Sequence, residues 1–381
     1  MTDFPTLNWS DEQGTHVARW RSEAGVPAPK RVVIADDRIT ADAAWRLACE
    51  GTALLWHGDF QNARQLLQAM ARRVERKPHK KAKSPPPSPR DAFNLHRLAQ
   101  AQRARTLGML LIPLAADYTI ALRRAPDVKQ ACEEVYGEAG PSGDTGSVVS
   151  LRELLGLIGA HEWRKKGVEI PALGDRIHPY YGVFSPVRGE YLDLVASVPL
   201  PSQAKAFDIG TGTGVIAAVL AKRGVKHIVA TDQDPRALAC ARENLARLGY
   251  ASQVDVVQAD LFPEGRAPLV VCNPPWVPAR PSSPVEHAVF DPESRMLLGF
   301  LNGLKDHLEP GGEGWLILSD FAEHLGLRTR DELLAAIDAA GLEVAGRENI
   351  RPRHPKAADP TDPLFKARAA EVTSLWRLKV R

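Results

Sequence analysis

KAFDIGTGTGVIAAVLAKRG, residues 205–224, is the stretch that decides the fold. An apolar run at Ala206 and Phe207 leads into DIGTGTG at 208–214, and a helix-like apolar segment follows at once. Gly210, Gly212 and Gly214 let the backbone turn tightly and approach a ligand, and the N-terminus of the following helix is electropositive. Gly212, Gly214 and Ala217 also fit a dinucleotide-binding fingerprint, so the glycines alone do not choose the ligand. Asp208, at the head of the loop, suits a cationic ligand better than a pyrophosphate, or else caps the loop.

Two further strands follow. HIVATDQDP at 227–235 reads as a strand ending at Asp232, where an acid can accept from both hydroxyls of a ribose. Asp234 and Pro235 then read as an N-cap and a first helical residue. VDVVQADLF at 254–262 ends near Asp260, which either accepts from an adenine amino group or caps the strand end. Next comes PLVVCNPPW at 268–276, an apolar strand stopping at Asn273, Pro274, Pro275 and Trp276. A proline has no N–H, so this turn offers carbonyl oxygens without competing donors. The Asn273 side-chain oxygen and the Pro274 carbonyl can each take one hydrogen of a planar –NH2 group. Trp276 adds a flat face for stacking, which Phe or Tyr would also supply. The alternative is a Pro-rich turn that merely closes a strand.

In this order the features resemble the class I S-adenosylmethionine-dependent methyltransferases, over roughly residues 180–381. The NPPW run resembles the amino-methylating members with an N/D-P-P-aromatic motif. Within them the chain looks most like the release-factor glutamine methyltransferases and the small-domain rRNA methyltransferases. Trp276 stands where those enzymes usually carry Tyr or Phe, and FSPVRGEY at 184–191 loosely resembles the proline-arginine run before their first glycine loop. The resemblance implies S-adenosyl-L-methionine as cofactor, held around Asp208, Gly210, Gly212 and Gly214, with Asp232 on its ribose and Asp260 near its adenine. It places Asn273, Pro274, Pro275 and Trp276 at the catalytic position, with Asn273 also bordering the cofactor. It further implies an α/β, Rossmann-like sheet of seven strands.

Composition sets outer limits. A length of 381 residues favours two domains, and 44% hydrophobic residues suffice for a core. No apolar run reaches membrane-spanning length, and MTDFPTLNWS lacks the features of a secretion signal, so a soluble cytoplasmic protein is expected. Cys49, Cys132, Cys240 and Cys272 sit singly, without ligand spacing, which predicts reduced thiols and no metal site. Cys272 reads as a small core residue, since no base is placed to activate it. The net charge of +3 is unevenly spread: residues 71–90 hold eight Lys or Arg against one Glu. Their basic, Pro-rich centre at 76–90 reads as a loop that either attracts a phosphate backbone or is simply solvated.

The N-terminal half predicts a smaller α/β accessory domain, 1–136. Its strand-like runs are RVVIAD at 31–36, TALLWHGD at 52–59 and MLLIPLA at 109–115, alternating with helical segments. That alternation implies a parallel sheet. GEAGPSGDTGS suggests an interdomain linker at 137–150, with the methyltransferase domain at 151–381. VEIPALGDRIHPYYGVFSPV at 168–187 reads as a hairpin over the cofactor cleft, whose Tyr180, Tyr181 and Phe184 either line the substrate site or only pack.

Amide and exocyclic amine nitrogens are poorly basic, so the expected work of the protein is orientation, with no histidine base. Three functions compete. One is N-methylation of an RNA nucleobase, supported by the basic loop and the extra domain, with RNA or the ribosome as partner. Another is N5-methylation of a protein glutamine, with a release factor as partner. The third group comprises cofactor binding without turnover and methylation of a small molecule.

Overall fold

The computed structural model describes residues 4–75, 88–141, 145–281, 284–353 and 359–381. These fall into two compact units, drawn from 1–85 with 95–162 and from 86–94 with 163–381. Most of the basic run, 76–87, lies outside the described residues.

The first unit is built on strands β1 (Thr6–Asp11), β2 (Gly14–Arg21), β3 (Arg31–Ala35), β4 (Thr52–Trp56), β5 (Leu110–Leu114) and β6 (Ser147–Ser150). Helices α1 (Ala41–Cys49), α2 (Phe60–Glu75), α3 (Pro89–Leu107), α4 (Lys129–Tyr136) and α5 (Leu151–Lys166) intervene or follow. The sheet order is β1-β2-β6-β5-β4-β3. Strands β3, β4 and β5 run parallel as expected, but β5 pairs antiparallel with β6, and β1 with β2. The expectation of a wholly parallel sheet is therefore corrected. The opening hairpin TLNWSDEQGTHVARWR alternates in polarity and adds a two-strand edge that needs no crossover. The boundaries are corrected as well: 137–150 is no simple linker, since Ser147–Ser150 is a strand of this sheet. Helix α5 crosses from the first unit to the second near Glu162.

The second unit opens with a short hairpin, β7 (Val168–Ile170) and β8 (Asp175–Ile177), and helix α6 (Glu190–Ser197). Its large sheet contains β9 (Lys205–Ile209), β10 (His227–Asp232), β11 (Val254–Gln258), β12 (Ala267–Cys272), β13 (Leu308–Ser319), β14 (Leu342–Ile350) and β15 (Thr373–Val380). Strand order is β11-β10-β9-β12-β13-β15-β14, with the last strand in sequence, β15, inserted antiparallel between β13 and β14. This is the seven-stranded sheet expected from the sequence. Helices α7 (Val215–Lys222), α8 (Pro235–Arg247), α9 (Arg295–His307), α10 (Phe321–His324), α11 (Arg330–Ala339) and α12 (Phe365–Ala370) complete the unit.

The central strands are apolar at nearly every position because both sheet faces are covered. Ala206, Leu269, Val271, Trp315 and Ile317 share one core with α7, while Phe207, Val270, Cys272, Leu316 and Leu318 share another with α9. Successive residues of one strand thus feed opposite cores, as a two-residue repeat requires. Each fully buried large side chain contributes about 1.5–3 kcal/mol. No helix among the described residues is long and apolar enough to cross a membrane.

Candidate functional site

The glycine loop sits where β9 ends and α7 begins. Gly210, Gly212 and Gly214 have φ of 71°, 54° and 80°, in the left-handed region that side chains disfavour. A Cβ on Gly214 would stand 3.3 Å from Ala241 of α8, whereas one on Gly212 would meet nothing within 4 Å. Gly214 therefore serves close packing, and Gly212 leaves one side of the loop open.

Asp208 lies beneath this loop with no exposed surface. Its Oδ2 accepts from the Thr211 hydroxyl at 2.7 Å and from the Ala217 N–H at 3.1 Å. Burial pushes its carboxyl up to about 6, with the neighbouring Asp232 adding to the rise. In this geometry Asp208 is the acid that shapes the loop, one of the two roles its position allowed.

Asp232 ends β10. Its Oδ2 accepts from the Gly212 N–H at 3.0 Å and its Oδ1 from the Asp234 N–H at 3.0 Å. The Gln233 N–H also faces this carboxylate, and with about four acceptor sites it keeps room for a ribose hydroxyl. Burial raises its carboxyl above the usual range. Asp234 caps α8 with Pro235 in the first turn, as the sequence predicts. Two acids beside a glycine loop disfavour a pyrophosphate and fit a cationic, ribose-bearing ligand such as S-adenosylmethionine. Asp260 pairs with Arg295 at 2.8 Å, with more than half of each side chain exposed.

NPPW follows β12, which runs parallel to β9, with Cys272 opposite Ile209, so both loops leave the same carboxyl end of the sheet. Asn273 Oδ1 accepts the indole N–H of Trp276 at 2.9 Å. The tryptophan is thus more than the exchangeable flat face read from sequence, because its ring nitrogen is engaged with the neighbouring acceptor. Pro274 is buried, while Asn273, Pro275 and Trp276 are half-buried. The Trp276 ring packs against three hydrophobic clusters. One of these includes Phe93, from the first turns of α3, beside Val277 and Phe321. Cys272 is fully buried and that burial holds its thiol well above the ordinary range, as suits a small core residue.

The upstream aromatics divide. Tyr180 packs on Val183, Ala237 and Cys240 and donates its hydroxyl to Glu243, with Arg164 over its ring. That is a packing role. The guanidinium of Arg236 stands 5.8 Å from the Tyr181 ring centroid, while Phe184 packs against the same core as Trp276. Sequence reasoning missed Arg188, which the fold brings over the Trp276 ring, and Glu371 and Ser319, which are linked to it by hydrogen bonds. The only early signal was the RGE triplet at 188–190, since Glu371 is remote in sequence.

A family model described as the methyltransferase small domain matches residues 181–330. A release factor glutamine methyltransferase of Cereibacter sphaeroides is 41% identical over 166 residues, covering 42% of this chain and 56% of that protein. A ribosomal protein L11 methyltransferase of Pelotomaculum thermopropionicum is 38% identical over 145 residues, covering 37% of this chain and 39% of that one. A putative protein N5-glutamine methyltransferase of Methanocaldococcus jannaschii is 30% identical over 153 residues, 38% of this chain and 75% of that protein. The chain spans about half the length of the first two relatives taken together. With the glycine loop, the strand order and these matches in place, the chain belongs to the S-adenosylmethionine-dependent methyltransferases, its residues 181–330 matching their small domain.

Proposed function

We propose that this protein transfers a methyl group from S-adenosylmethionine to a planar amide nitrogen, the side-chain nitrogen of a glutamine in a release-factor-type protein. The observation that carries the reading is Asn273, at the carboxyl end of β12, with its side-chain oxygen fixed by Trp276. The names of the relatives favour a protein acceptor over the nucleobase.

Gly210, Gly212 and Gly214 would hold the cofactor, with Asp232 on its ribose; Asp208 acts from below by shaping the loop. When bound, the cofactor supplies an activated methyl on a sulfonium. Asn273 Oδ1 and the Pro274 carbonyl each accept one hydrogen of the acceptor amine. Gripping both hydrogens would bias the nitrogen lone pair out of conjugation and fix its direction. Orientation of this kind contributes up to ~7–11 kcal/mol of barrier lowering. The amide proton leaves after transfer, so the reaction does not depend on prior deprotonation. Four free cysteines fit a reducing, cytoplasmic setting.

A second reading, methylation of an RNA nucleobase, draws on the eight Lys or Arg within 71–90. The helix that follows this run places Phe93 in the cluster beside Trp276 and Val277. Tritiated-methyl transfer separates the two. Purified release factors, ribosomes and total RNA are incubated with the enzyme and labelled cofactor, and the products are digested with protease or nuclease. Label released as methylglutamine supports the proposal; label in nucleotides replaces it with the second reading.

A further inference from the structure

We infer that Glu371 and Arg188 are positioning residues for the acceptor platform, acting through Trp276. The inference rests on the reading that Asn273 receives the acceptor amine.

Three neighbouring strand ends bring the groups together. Strand β12 ends at Cys272, just before Asn273, and β13 lies beside it and ends at Ser319. Strand β15 lies beside β13, with Thr373 opposite Ser319, and Glu371 stands two residues before it. The Glu371 side chain is 1% exposed. Its Oε1 accepts from the Ser319 hydroxyl at 2.7 Å and from Arg188 Nη2 at 3.1 Å. Glu190, on the other side, stands 3.7 Å from Arg188 Nε. The guanidinium carbon of Arg188 lies 5.8 Å from the centroid of the Trp276 ring, within the range of a cation–π contact.

Arg188 is therefore a plate held between two buried carboxylates and an indole face. Packing alone does not call for this choice, because apolar side chains of the same volume fill such a space at least as well as a buried ion pair. Arg188 Nε and Glu190 Oε1 meet only as an ion pair at 3.7 Å, and among the described residues Glu371 Oε2 has no hydrogen-bond partner, so the Glu371 carboxylate is committed through Oε1. What the arrangement does is fix the ring. A cation against the indole face strengthens its N–H as a donor, and that N–H is the one bonded to Asn273 Oδ1. The run from Ser319 through Glu371, Arg188 and Trp276 thereby sets which end of the Asn273 amide faces the acceptor, leaving its second lone pair for the substrate.

The test uses the full-length protein with Glu371→Gln, Arg188→Gln, the two combined, Arg188→Lys, and the apolar pair Arg188→Met with Glu371→Leu. Turnover, KM, cofactor affinity and melting temperature are measured, along with the indole 15N–1H resonance of Trp276, assigned by its loss in Trp276→Phe. Each Gln variant is expected to lower kcat about tenfold, with KM and cofactor affinity within about twofold. The two combined should cost no more than either alone, because they break one relay. Arg188→Lys should restore part of the loss. The apolar pair should melt at or above the wild-type temperature yet share the kcat defect. In each Gln variant the indole resonance should shift. A fall in melting temperature with kcat and the resonance unchanged would mean a structural ion pair and overturn the inference. Should the wild type methylate none of the tested acceptors, the functional reading fails by itself. The resonance then decides the relay alone, a shift supporting it and an unmoved peak overturning it.

Discussion

Trp276 donates its indole N–H to Asn273 Oδ1 across 2.9 Å, so the last residue of the NPPW turn orients the first. The consequence is that aromatic rings are not interchangeable at this position. Trp276→Phe keeps a flat face and loses the donor. A net hydrogen bond is worth about 0.5–1.5 kcal/mol, so kcat should fall up to about tenfold. KM should change less than kcat, because stacking survives. Steady-state kinetics on the labelled acceptor check this, and an unchanged kcat would reduce the bond to a packing detail.

Asn273→Ala is a sharper change. It removes the side-chain acceptor and leaves Gly210, Gly212, Gly214 and Asp232 intact. Cofactor affinity should be spared while turnover falls about 100-fold or more, the pattern of an interaction worth ~3 kcal/mol mainly in the transition state. Near-normal turnover on an identified acceptor would make NPPW a structural turn and remove the basis for amino-methylation.

Asp232 has two tasks, and two variants separate them. Its carboxylate holds the Gly212 N–H and leaves room for a ribose hydroxyl. Asp232→Asn keeps one oxygen and loses the charge, whereas Asp232→Ala removes both functions. Charge-assisted hydrogen bonds contribute about 1.5–3 kcal/mol each, so calorimetry should show at least about tenfold weaker cofactor binding for Asn and a larger loss for Ala. Equal affinity in all three proteins would take Asp232 out of the cofactor site.

The large sheet was legible because its signals are local. Strand ends at Asp232 and just before Asn273, the cap at Asp234 and the glycines of 210–214 each fall within a few residues of the feature they specify. The first sheet was only half legible. Alternating strands and helices imply parallel pairing, but β6 runs antiparallel to β5 and pairs on its other side with β2, more than a hundred residues away in the chain. Asp208 illustrates another limit: a carboxylate beside a glycine loop reads alike whether it faces a ligand or, as here, bonds to Thr211 and Ala217. Glu371 was invisible for a third reason. Its partners Arg188 and Ser319 lie on other elements, and no spacing in the chain announces them.

The basic run offers a test of the nucleobase reading. Residues 76–87 can be deleted without touching Ser88, whose hydroxyl bonds to Asp91 at the start of α3, or Arg90, which donates to the Gly326 carbonyl. The deletion removes Arg76, Lys77, Lys80, Lys81 and Lys83. If RNA is the partner, affinity should drop and the slope of log K against log salt should flatten by about 0.7 for each lost contact to a single strand. If the acceptor is a protein glutamine, methylation of that protein should persist and RNA binding should show no salt slope to lose. Filter binding across a salt series, beside the labelling assay, distinguishes the two.

Asp208 gives the protein a pH dependence with a definite sign. Its folded value of about 6 lies above the 3.8 of an ordinary aspartate, so the folded state binds this proton more tightly than the unfolded one. Stability from this group is therefore greatest below about pH 4 and is lost as pH rises through about 6. The difference amounts to about 3 kcal/mol, taking 1.36 kcal/mol for each pH unit between the two values. Asp208→Asn keeps an oxygen for the Thr211 hydroxyl and the Ala217 N–H but carries no titrating proton. Denaturant unfolding of both proteins at a series of pH values from 4 to 8 isolates the contribution, because other ionisations cancel in the difference. Relative to wild type, the variant should gain stability between about pH 4 and 6 and keep a constant offset above. A difference that stays flat through that window would show that Asp208 is already ionised there, and that the loop tolerates a buried charge without the burial penalty.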